Sequence, residues 1–491
     1  LKVKPVLGLS SWNQSSNLIS KISPIDGSQV CSFYEPDKDC IEEVIKVAKE
    51  AQQIWSSVPM PKRAPLLVKL AEELEKRKSN LAELIQIEIG KTKTEAEGEI
   101  QEAIDMLHFC IGLTRSLNGT IFPSERENHF IFESWQPLGV VGIITAFNFP
   151  VAVWAWNAFL AVTCGNSTIW KPSELAPMTS FTVCSLAQEI ASSLGYHGLF
   201  NMICGGKEIG RTLAANPNVA LVSATGSTEM GREVSSLVAQ RLGKVILELG
   251  GNNAVVVHKD CDLENATSFC CFGIVGTSGQ RCTSIRRLII HRDVYDSFIK
   301  GLISKLQSCK IGDPRLPDTV VGPLISEASV QKFLEAVKEG LGQGARLLYG
   351  GKVLEGFQTN QYVTPTLLEV DEVIDTVLRE TFAPLAWCFK FSDLEEAIAL
   401  NNSVPQGLSS ACFTKSLDVA FKFLQGSDCG LANINTSTSG AEIGLAFGGE
   451  KATGGGREAG SDCWKYYMRR QSCVINWGNK FNLAQNVQIR F

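Results

Sequence analysis

A chain of 491 residues with 44% hydrophobic and 20% charged side chains is long enough for two or three domains and a large buried core. Forty-six Lys and Arg against 51 Asp and Glu leave a formal charge of −5, so no basic excess exists to neutralise a phosphate backbone, and nucleic acid is not expected as a partner. The apolar fraction and low net charge argue against disorder, and 16 cysteines scattered from Cys31 to Cys473 without a CxxC pair fit a reducing cytoplasm and no metal site.

Leu1 to Trp12 lacks the apolar stretch of a signal peptide, so secretion is not expected. From Ile41 to Trp55 and from Leu66 to Ile87, apolar residues recur every three or four positions among Lys and Glu, which predicts two amphipathic helices. Ser134 to Trp170 carries no charged side chain and is long enough to suggest a membrane span. Pro137, Asn148, Pro150, Asn157 and Asn166 interrupt it, and it reads as strand, turn, buried helix and strand. Short β-branched runs then alternate with helical stretches at Val140–Ile144, Ser167–Trp170, Phe200–Ile203, Ala220–Ser223 and Val245–Leu247. A second set follows near Asn253, Arg287–His291, Leu385–Phe391 and Ser409–Phe413. Alternation of this kind predicts two open, doubly wound α/β domains. Phe130–Trp135 and Ser472–Asn476 have strand character without a following helix and are expected to form a small separate β element or to reach another subunit.

The common phosphate-binding fingerprints are missing. No GxGxxG follows a strand, and GSTEMG at Gly226 to Gly231 has P-loop glycine spacing with Arg232 where the lysine belongs. Gly226 and Ser227 nevertheless follow an apolar strand and precede a helix, where free N–H groups favour an anion, although a plain strand-to-helix turn reads equally from those residues. In GTSGQRCTS, Gly276 to Ser284, Cys282 beside Arg281 is a candidate thiolate, because adjacent positive charge and exposure lower a thiol pKa. In ELGGNN, Glu248 to Asn253, a carboxylate closes an apolar strand ahead of paired glycines, at the sheet edge where open α/β folds bind ligands. In TAFNFP, Thr145 to Pro150, the Asn148 amide follows a strand and is placed to donate to an oxyanion.

Together with Trp170-Lys171-Pro172-Ser173-Glu174 and Glu380-Thr381-Phe382-Ala383-Pro384, these segments resemble the aldehyde dehydrogenase superfamily, in order over nearly the whole chain. The resemblance implies Cys282 as nucleophile, Asn148 as oxyanion donor and Glu248 as general base, with a thiohemiacetal and then a thioester on the cysteine. It implies NAD as cofactor, with Lys171 and Glu174 at the adenosine ribose, Gly226 and Ser227 at the pyrophosphate, and Glu380 and Phe382 at the nicotinamide ribose. A carboxylate at the ribose position favours NAD over NADP.

The stretch Ser439 to Arg470 (SGAEIGLAFGGEKATGGGREAGSDCWKYYMRR), with SDCGLANIN and NFPVAVWAWN, resembles the family 7 or antiquitin-type branch. That branch implies L-2-aminoadipate 6-semialdehyde as substrate, lysine degradation as pathway, and a homotetramer. It implies Arg281 as a fork for the substrate carboxylate, Glu102 as receiver of its ammonium, Ser439, Gly440 and Ala441 as an anchor loop, and Trp156 and Phe447 as walls. Leu445 and Ala459 depart from the branch, and Leu445 is expected to narrow the substrate mouth. The implied division is 1–120 with 140–250 for the cofactor domain, 251–450 for the catalytic domain, and 121–139 with 470–491 for a β oligomerisation element. Competing readings are a dehydrogenase for betaine aldehyde or a glutamate-type semialdehyde, which Arg281 disfavours for a cationic substrate, a Cys-His hydrolase, for which none of the five histidines is well placed, and a non-enzymatic protein keeping the fold.

Overall fold

The chain, described by a computed structural model over residues 6–7, 14–439 and 442–479, opens its helical layer where sequence predicts it. Helix α1 (Lys38–Ser56) starts as the Asp37 carboxylate accepts the Cys40 N–H at 2.8 Å, and its buried face carries Ile41, Val44, Ile45, Ala48 and Trp55. Helix α2 (Ala64–Ile89) stops at Gly90, whose φ of +86° favours glycine and whose absent Cβ would lie 2.9 Å from Pro323. Helix α3 (Lys93–Ser116) starts with a capping box between Thr92 and Glu95 and packs along α2. An antiparallel pair, Gln14–Ile22 with Gln29–Pro36, precedes this layer where the sequence reading assigned no strands.

The uncharged segment folds back and forth inside the protein. Strand His129–Pro137 leads to strand Val140–Ile144, helix α4 (Ala152–Thr163) and strand Ser167–Lys171. Apart from half-buried Val153, every residue of α4 is buried, which explains why its apolar residues surround the axis instead of forming a stripe. Among the described residues, no helix is long and apolar enough to cross a membrane.

Helices α5 (Pro177–Ser193), α6 (Lys207–Ala215) and α7 (Thr228–Gln240) alternate with the strands of a seven-stranded sheet. Its order is Val6–Leu7, Phe200–Ile203, Ser167–Lys171, Val140–Ile144, Val219–Thr225, Lys244–Glu248 and Gly454–Gly455, parallel except at the two edges. Register aligns Ile144 with Lys171 and Ala224, and Thr225 with Glu248, so all lie at one carboxyl edge. Helices α8 (Leu263–Val275), α9 (Tyr295–Ser308) and α10 (Glu327–Gly342) accompany a second seven-stranded sheet. Its order is Arg346–Tyr349, Thr366–Glu369, Leu385–Phe391, Ile285–His291, Asn253–Val257, Ser409–Phe413 and Leu431–Ile434, parallel except at Arg346–Tyr349. The central strands Val140–Ile144, Asn253–Val257 and Ile285–His291 are buried throughout, as strands covered on both faces must be.

A third sheet joins Met468–Asn476 to His129–Pro137 and Thr120–Phe122, antiparallel, with Ser472 opposite Glu133 and Cys473 opposite Phe132. The two helix-free segments singled out in the sequence are thus neighbours, although more than 300 positions apart.

Candidate active site

A cavity of about 1510 Å³ lies between the two large sheets, at the carboxyl edge of the first. It is lined by Lys171, Glu174, Gly226, Ser227, Glu380 and Phe382, by Cys282, Glu248 and Asn148, and by Glu102, Arg281, Trp156, Ser439 and Phe447. Gly440 and Ala441 lie outside the described residues. All the other expected site residues therefore share one cavity, brought together from segments as remote as α3 and Phe447.

Paired glycines let the site close on itself. A Cβ on Gly250 would lie 2.2 Å from Glu380 Oε2, and one on Gly251 would lie 2.3 Å from the Cys282 carbonyl oxygen. The Gly251 N–H donates to Glu380 Oε1 at 3.2 Å, while Asn253 Nδ2 donates to the Cys282 and Ser284 carbonyls at 2.7 and 2.8 Å. The ELGGNN turn thus carries the Glu248 carboxylate and fixes the segment that presents the thiol.

Upstream of Cys282 the backbone is left-handed at three successive residues, Thr277 (φ +50°), Ser278 (φ +54°) and Gly279 (φ +70°). Such conformations cost energy for residues with a Cβ and persist where surroundings over-determine them. Here Glu95 Oε1 accepts the Thr277 N–H at 2.6 Å and the Ser278 hydroxyl donates to the Gly322 carbonyl at 2.8 Å. A Cβ on Gly279 would meet the Ala383 carbonyl carbon at 2.4 Å.

Cys282 is half-buried and faces the cavity. Its thiol pKa is pushed up, first by burial, then by Glu380 and Glu248. This corrects the expectation that Arg281 lowers it. Arg281 turns away, donating through Nη2 to Glu95 Oε1 at 2.9 Å and through Nε to Thr277 Oγ1 at 2.9 Å, with Phe149 and Phe272 against its guanidinium. These contacts occupy Nε and one N–H of Nη2 and leave Nη1 and the second Nη2 N–H without a partner among the described residues.

Arg286, a buried cation behind the cavity wall, was overlooked in the sequence reading. Its Nη1 donates to the Ala383 carbonyl at 2.7 Å and its Nη2 to the Gly279 carbonyl at 2.7 Å, with Glu380 Oε1 3.8 Å away. Fully buried, it ties the nucleophile segment to the Glu380–Phe382 segment and faces the Phe382 ring. Burial raises the Glu380 carboxyl pKa to about 7 despite the lowering effect of Arg286.

Asn148 Nδ2 donates to the Gln280 carbonyl at 2.9 Å. A primary amide nitrogen carries two N–H groups, so one orients the side chain while the other remains for an oxyanion. Glu248 is buried with no side-chain hydrogen bond to either carboxylate oxygen among the described residues, and the Gly449 backbone N–H only partly offsets the effect of burial. Its pKa is driven well up, first by burial and next by Glu458. Glu458, also overlooked in the sequence, lines the same cavity, accepts from Asn157 Nδ2 at 2.6 Å and Thr225 Oγ1 at 2.9 Å, and has its own pKa raised to about 7 by burial.

Lys171 Nζ lies 3.6 Å from Glu174 Oε2 at the end of its strand. Ser227 is the N-cap of α7, accepting the Met230 N–H at 3.2 Å, so the strand-to-helix turn brings a helix start to the cavity wall. Trp156 packs on Phe447 with ring centroids 4.8 Å apart. Ser439 donates from Oγ to the Thr283 carbonyl at 3.1 Å, next to the nucleophile. Leu445, expected to narrow the mouth, is 66% exposed and is not part of the cavity wall. Ala459 is buried behind it, pairing through its carbonyl with the Phe447 N–H at 2.9 Å.

Glu102 projects from α3 and makes no ion pair among the described residues, because the nearby cations are taken. Lys91 is sealed against Glu99 at 2.6 Å with no exposure of either side chain, and Arg281 is held by Glu95. Glu99 Oε1 also accepts the Val151 and Ala152 N–H groups at 2.7 and 3.2 Å, anchoring the start of α4 beside Asn148. Burial, followed by the charge of Glu99, raises the Glu102 pKa to about 7.

The aldehyde dehydrogenase family model matches residues 12–473. The chain belongs to the aldehyde dehydrogenase family. It is 44% identical over 479 residues to aldehyde dehydrogenase family 7 member A1 of Malus domestica, covering 97% of this chain and 94% of that protein. It is 42% identical over 484 residues to the alpha-aminoadipic semialdehyde dehydrogenase of Mus musculus, covering 98% and 89% of the two. The crystal structure of an NAD-dependent aldehyde dehydrogenase from Sinorhizobium meliloti superposes with a TM-score of 0.93 at 29% identity, covering 98% of this chain and 96% of that one. This aldehyde dehydrogenase therefore has the two-domain α/β fold of its family, and its substrate is an aldehyde.

Proposed function

We propose that this aldehyde dehydrogenase oxidises L-2-aminoadipate 6-semialdehyde to L-2-aminoadipate with NAD, in lysine degradation. The observation that carries the reaction is the meeting of Cys282, Glu248 and Asn148 in one cavity with Glu380 and Phe382. The pockets that hold small molecules usually measure about 300–1,000 Å³, and this larger cavity has room for a dinucleotide beside an aldehyde. The glycine cradle at Gly226, the helix start at Ser227, the Lys171–Glu174 pair and the Glu380 carboxylate fit NAD. NAD supplies the two-electron acceptor when bound.

The chain's own residues do the rest. Glu248 takes the thiol proton, and the Cys282 sulfur adds to the aldehyde carbon. The free Asn148 N–H and the Cys282 backbone N–H hold the resulting oxyanion, where one such donor typically lowers a barrier by about 3–4 kcal/mol. After oxidation to the thioester, Glu248 deprotonates the water that releases the carboxylate and restores the thiol. Burial and the Glu458 charge raise the Glu248 pKa, so its basic form gains ground as pH rises, and between the two steps Glu458 or solvent takes its proton.

Glu102, lacking a partner cation, receives the substrate ammonium, and Arg281 meets the substrate carboxylate through the terminal nitrogen that Glu95 leaves free. The aliphatic chain lies against the wall that the packed Trp156 and Phe447 rings form, with Ser439 lining the same cavity. NADH absorbance with this semialdehyde, betaine aldehyde, a glutamate-type semialdehyde and an aliphatic aldehyde tests the assignment. The aminoadipate substrate is expected to show the highest kcat/KM, and a preference for betaine aldehyde would overturn it.

The same reading includes a division into a cofactor domain (1–120 and 140–250), a catalytic domain (251–450) and a β element (121–139 and 470–491) through which a homotetramer assembles. Exposed Ile121, Phe122, Phe130, Val474 and Ile475 on the third sheet support that assembly. The free thiols of all sixteen cysteines support a cytoplasmic setting, and the net acidic charge supports a protein without nucleic-acid partners.

A further inference from the structure

The nucleophile segment is the direct continuation of α8, which packs along α9. At that helix contact, the sulfur of Cys271 on α8 lies 3.6 Å from the sulfur of Cys309, the residue that ends α9. Neither takes part in the chemistry at Cys282. We propose that Cys271 and Cys309 form a reversible oxidation site, a dithiol that mild peroxide closes to a disulfide, stapling α8 to the end of α9 behind the nucleophile segment.

Several observations support this reading. A disulfide needs sulfurs brought to about 2.05 Å, and these two start in contact at 3.6 Å. Cys309 is half-buried while Cys271 is nearly covered, so an oxidant reaches Cys309 first. The two sulfurs share a hydrogen bond in which either can donate, and Cys309 also donates to the Lys305 carbonyl at 3.4 Å; their mutual contact lowers the Cys309 pKa and raises that of Cys271. The Lys305 ammonium, paired with Glu264 at 2.5 Å, favours an anionic sulfur at Cys271 once the second proton must leave. By contrast, Cys110, Cys164, Cys184 and Cys204 are fully buried, and burial is the largest cause that pushes their thiols up.

The chemistry balances with hydrogen peroxide as oxidant. The Cys309 thiolate attacks one peroxide oxygen, the O–O bond breaks, hydroxide leaves and is protonated to water, and Cys309 becomes a sulfenic acid. The Cys271 thiolate then attacks the Cys309 sulfur, the S–O bond breaks and a second water leaves. Two thiols and one peroxide give one disulfide and two waters. The bond spans 38 positions of sequence, and that loop contains Cys282 and Arg286. Closing it restricts the unfolded chain, so the oxidised protein melts higher.

The test uses full-length protein carrying Cys282→Ser, which removes the reactive nucleophile from the readout. After peroxide, peptide mapping is expected to find Cys271 linked to Cys309, with the mass of two hydrogen atoms lost, complete recovery in dithiothreitol, and a raised Tm that disappears on reduction. Adding Cys271→Ser or Cys309→Ser removes the cross-link and the Tm response. The proposal is overturned if Cys309 proceeds to sulfinic acid while Cys271 stays alkylatable. It is equally overturned if both thiols stay reduced at a dose that oxidises the half-buried Cys473.

Discussion

Arg281 donates from Nη2 to Glu95 Oε1 at 2.9 Å, so the charge next in sequence to Cys282 is directed at helix α3 and not at the sulfur. Burial, Glu380 and Glu248 raise the Cys282 thiol pKa, so in the proposed mechanism removal of the thiol proton is part of catalysis. That mechanism assigns to Glu248 both the thiol proton and the hydrolytic water.

Replacing Cys282 by Ala is expected to abolish NADH formation while leaving NAD affinity, read by NADH-competition fluorescence, within about twofold. Glu248→Gln is expected to slow steady-state turnover by about 10²–10⁴-fold, the usual contribution of a general base. Stopped-flow absorbance at alkaline pH, where solvent base helps remove the thiol proton, should then reveal a burst of NADH followed by slow thioester hydrolysis. Full turnover by either variant would remove the mechanism.

The pH profile follows from the Glu248–Glu458 neighbourhood. Glu248 works deprotonated, and its raised pKa makes activity climb as pH increases. The Glu458 charge is the second cause of that rise, after burial. Glu458→Gln therefore lets the Glu248 pKa fall, and the acidic limb of kcat should move to lower pH. A limb that stays put or moves upward would separate the two carboxylates.

Buried carboxylates also set the pH dependence of stability. The pKa values of Glu380 and Glu458 are raised from 4.5 to about 7, so the folded state holds protons that the unfolded chain has released. This stabilising contribution is fully present below about pH 4.5 and is lost as pH rises through about 7. For Glu458, 1% exposed, it is on the order of 3 kcal/mol. Thermal melts of the protein without ligand should show Tm falling from pH 5 to 8, and Glu458→Gln should flatten that slope.

Glu102→Ala should raise KM for the aminoadipate semialdehyde by about tenfold or more, since a charge-assisted contact is lost, while KM for a simple aliphatic aldehyde changes little. Arg281→Ala should raise the same KM and also lower Tm, because it leaves the Glu95 carboxylate without its cation. Equal effects of Glu102→Ala on both aldehydes would reject the proposed ammonium site.

Arg286→Gln should raise the Kd for NAD, because the guanidinium braces the Glu380 and Phe382 segment through the Ala383 carbonyl. It should also cost about 3 kcal/mol of stability, as carbonyls at Ala383 and Gly279 lose a charged donor. Isothermal titration and thermal melts on one preparation separate the two effects. Unchanged NAD affinity would limit Arg286 to a structural role.

Much of this protein is written locally. Alternating hydrophobicity located Val140–Ile144, Phe200–Ile203, Leu385–Phe391 and Ser409–Phe413 at the residues where the strands lie. The capping residue Asp37 and the apolar face from Ile41 to Trp55 mark α1 in the same way. The paired glycines of ELGGNN, Cys282 in its small-residue turn and Asn148 after its strand were legible because turn chemistry is a short-range property. The hairpin Gln14–Ile22 with Gln29–Pro36 was not legible, since its burial comes from packing against the later helices.

What the sequence determined alone is the order of strands and helices and the residue types offered at each carboxyl edge, because backbone propensity and hydrophobic period depend on near neighbours. Only the tertiary structure decided the charges. It paired Arg281 with Glu95 and Lys91 with Glu99, left Glu102 free for a ligand, placed Arg286 between two loops, and set Glu458 beside Glu248. A pKa or an ion pair depends on burial and on groups tens or hundreds of positions away, and those distances exist only after the chain has folded.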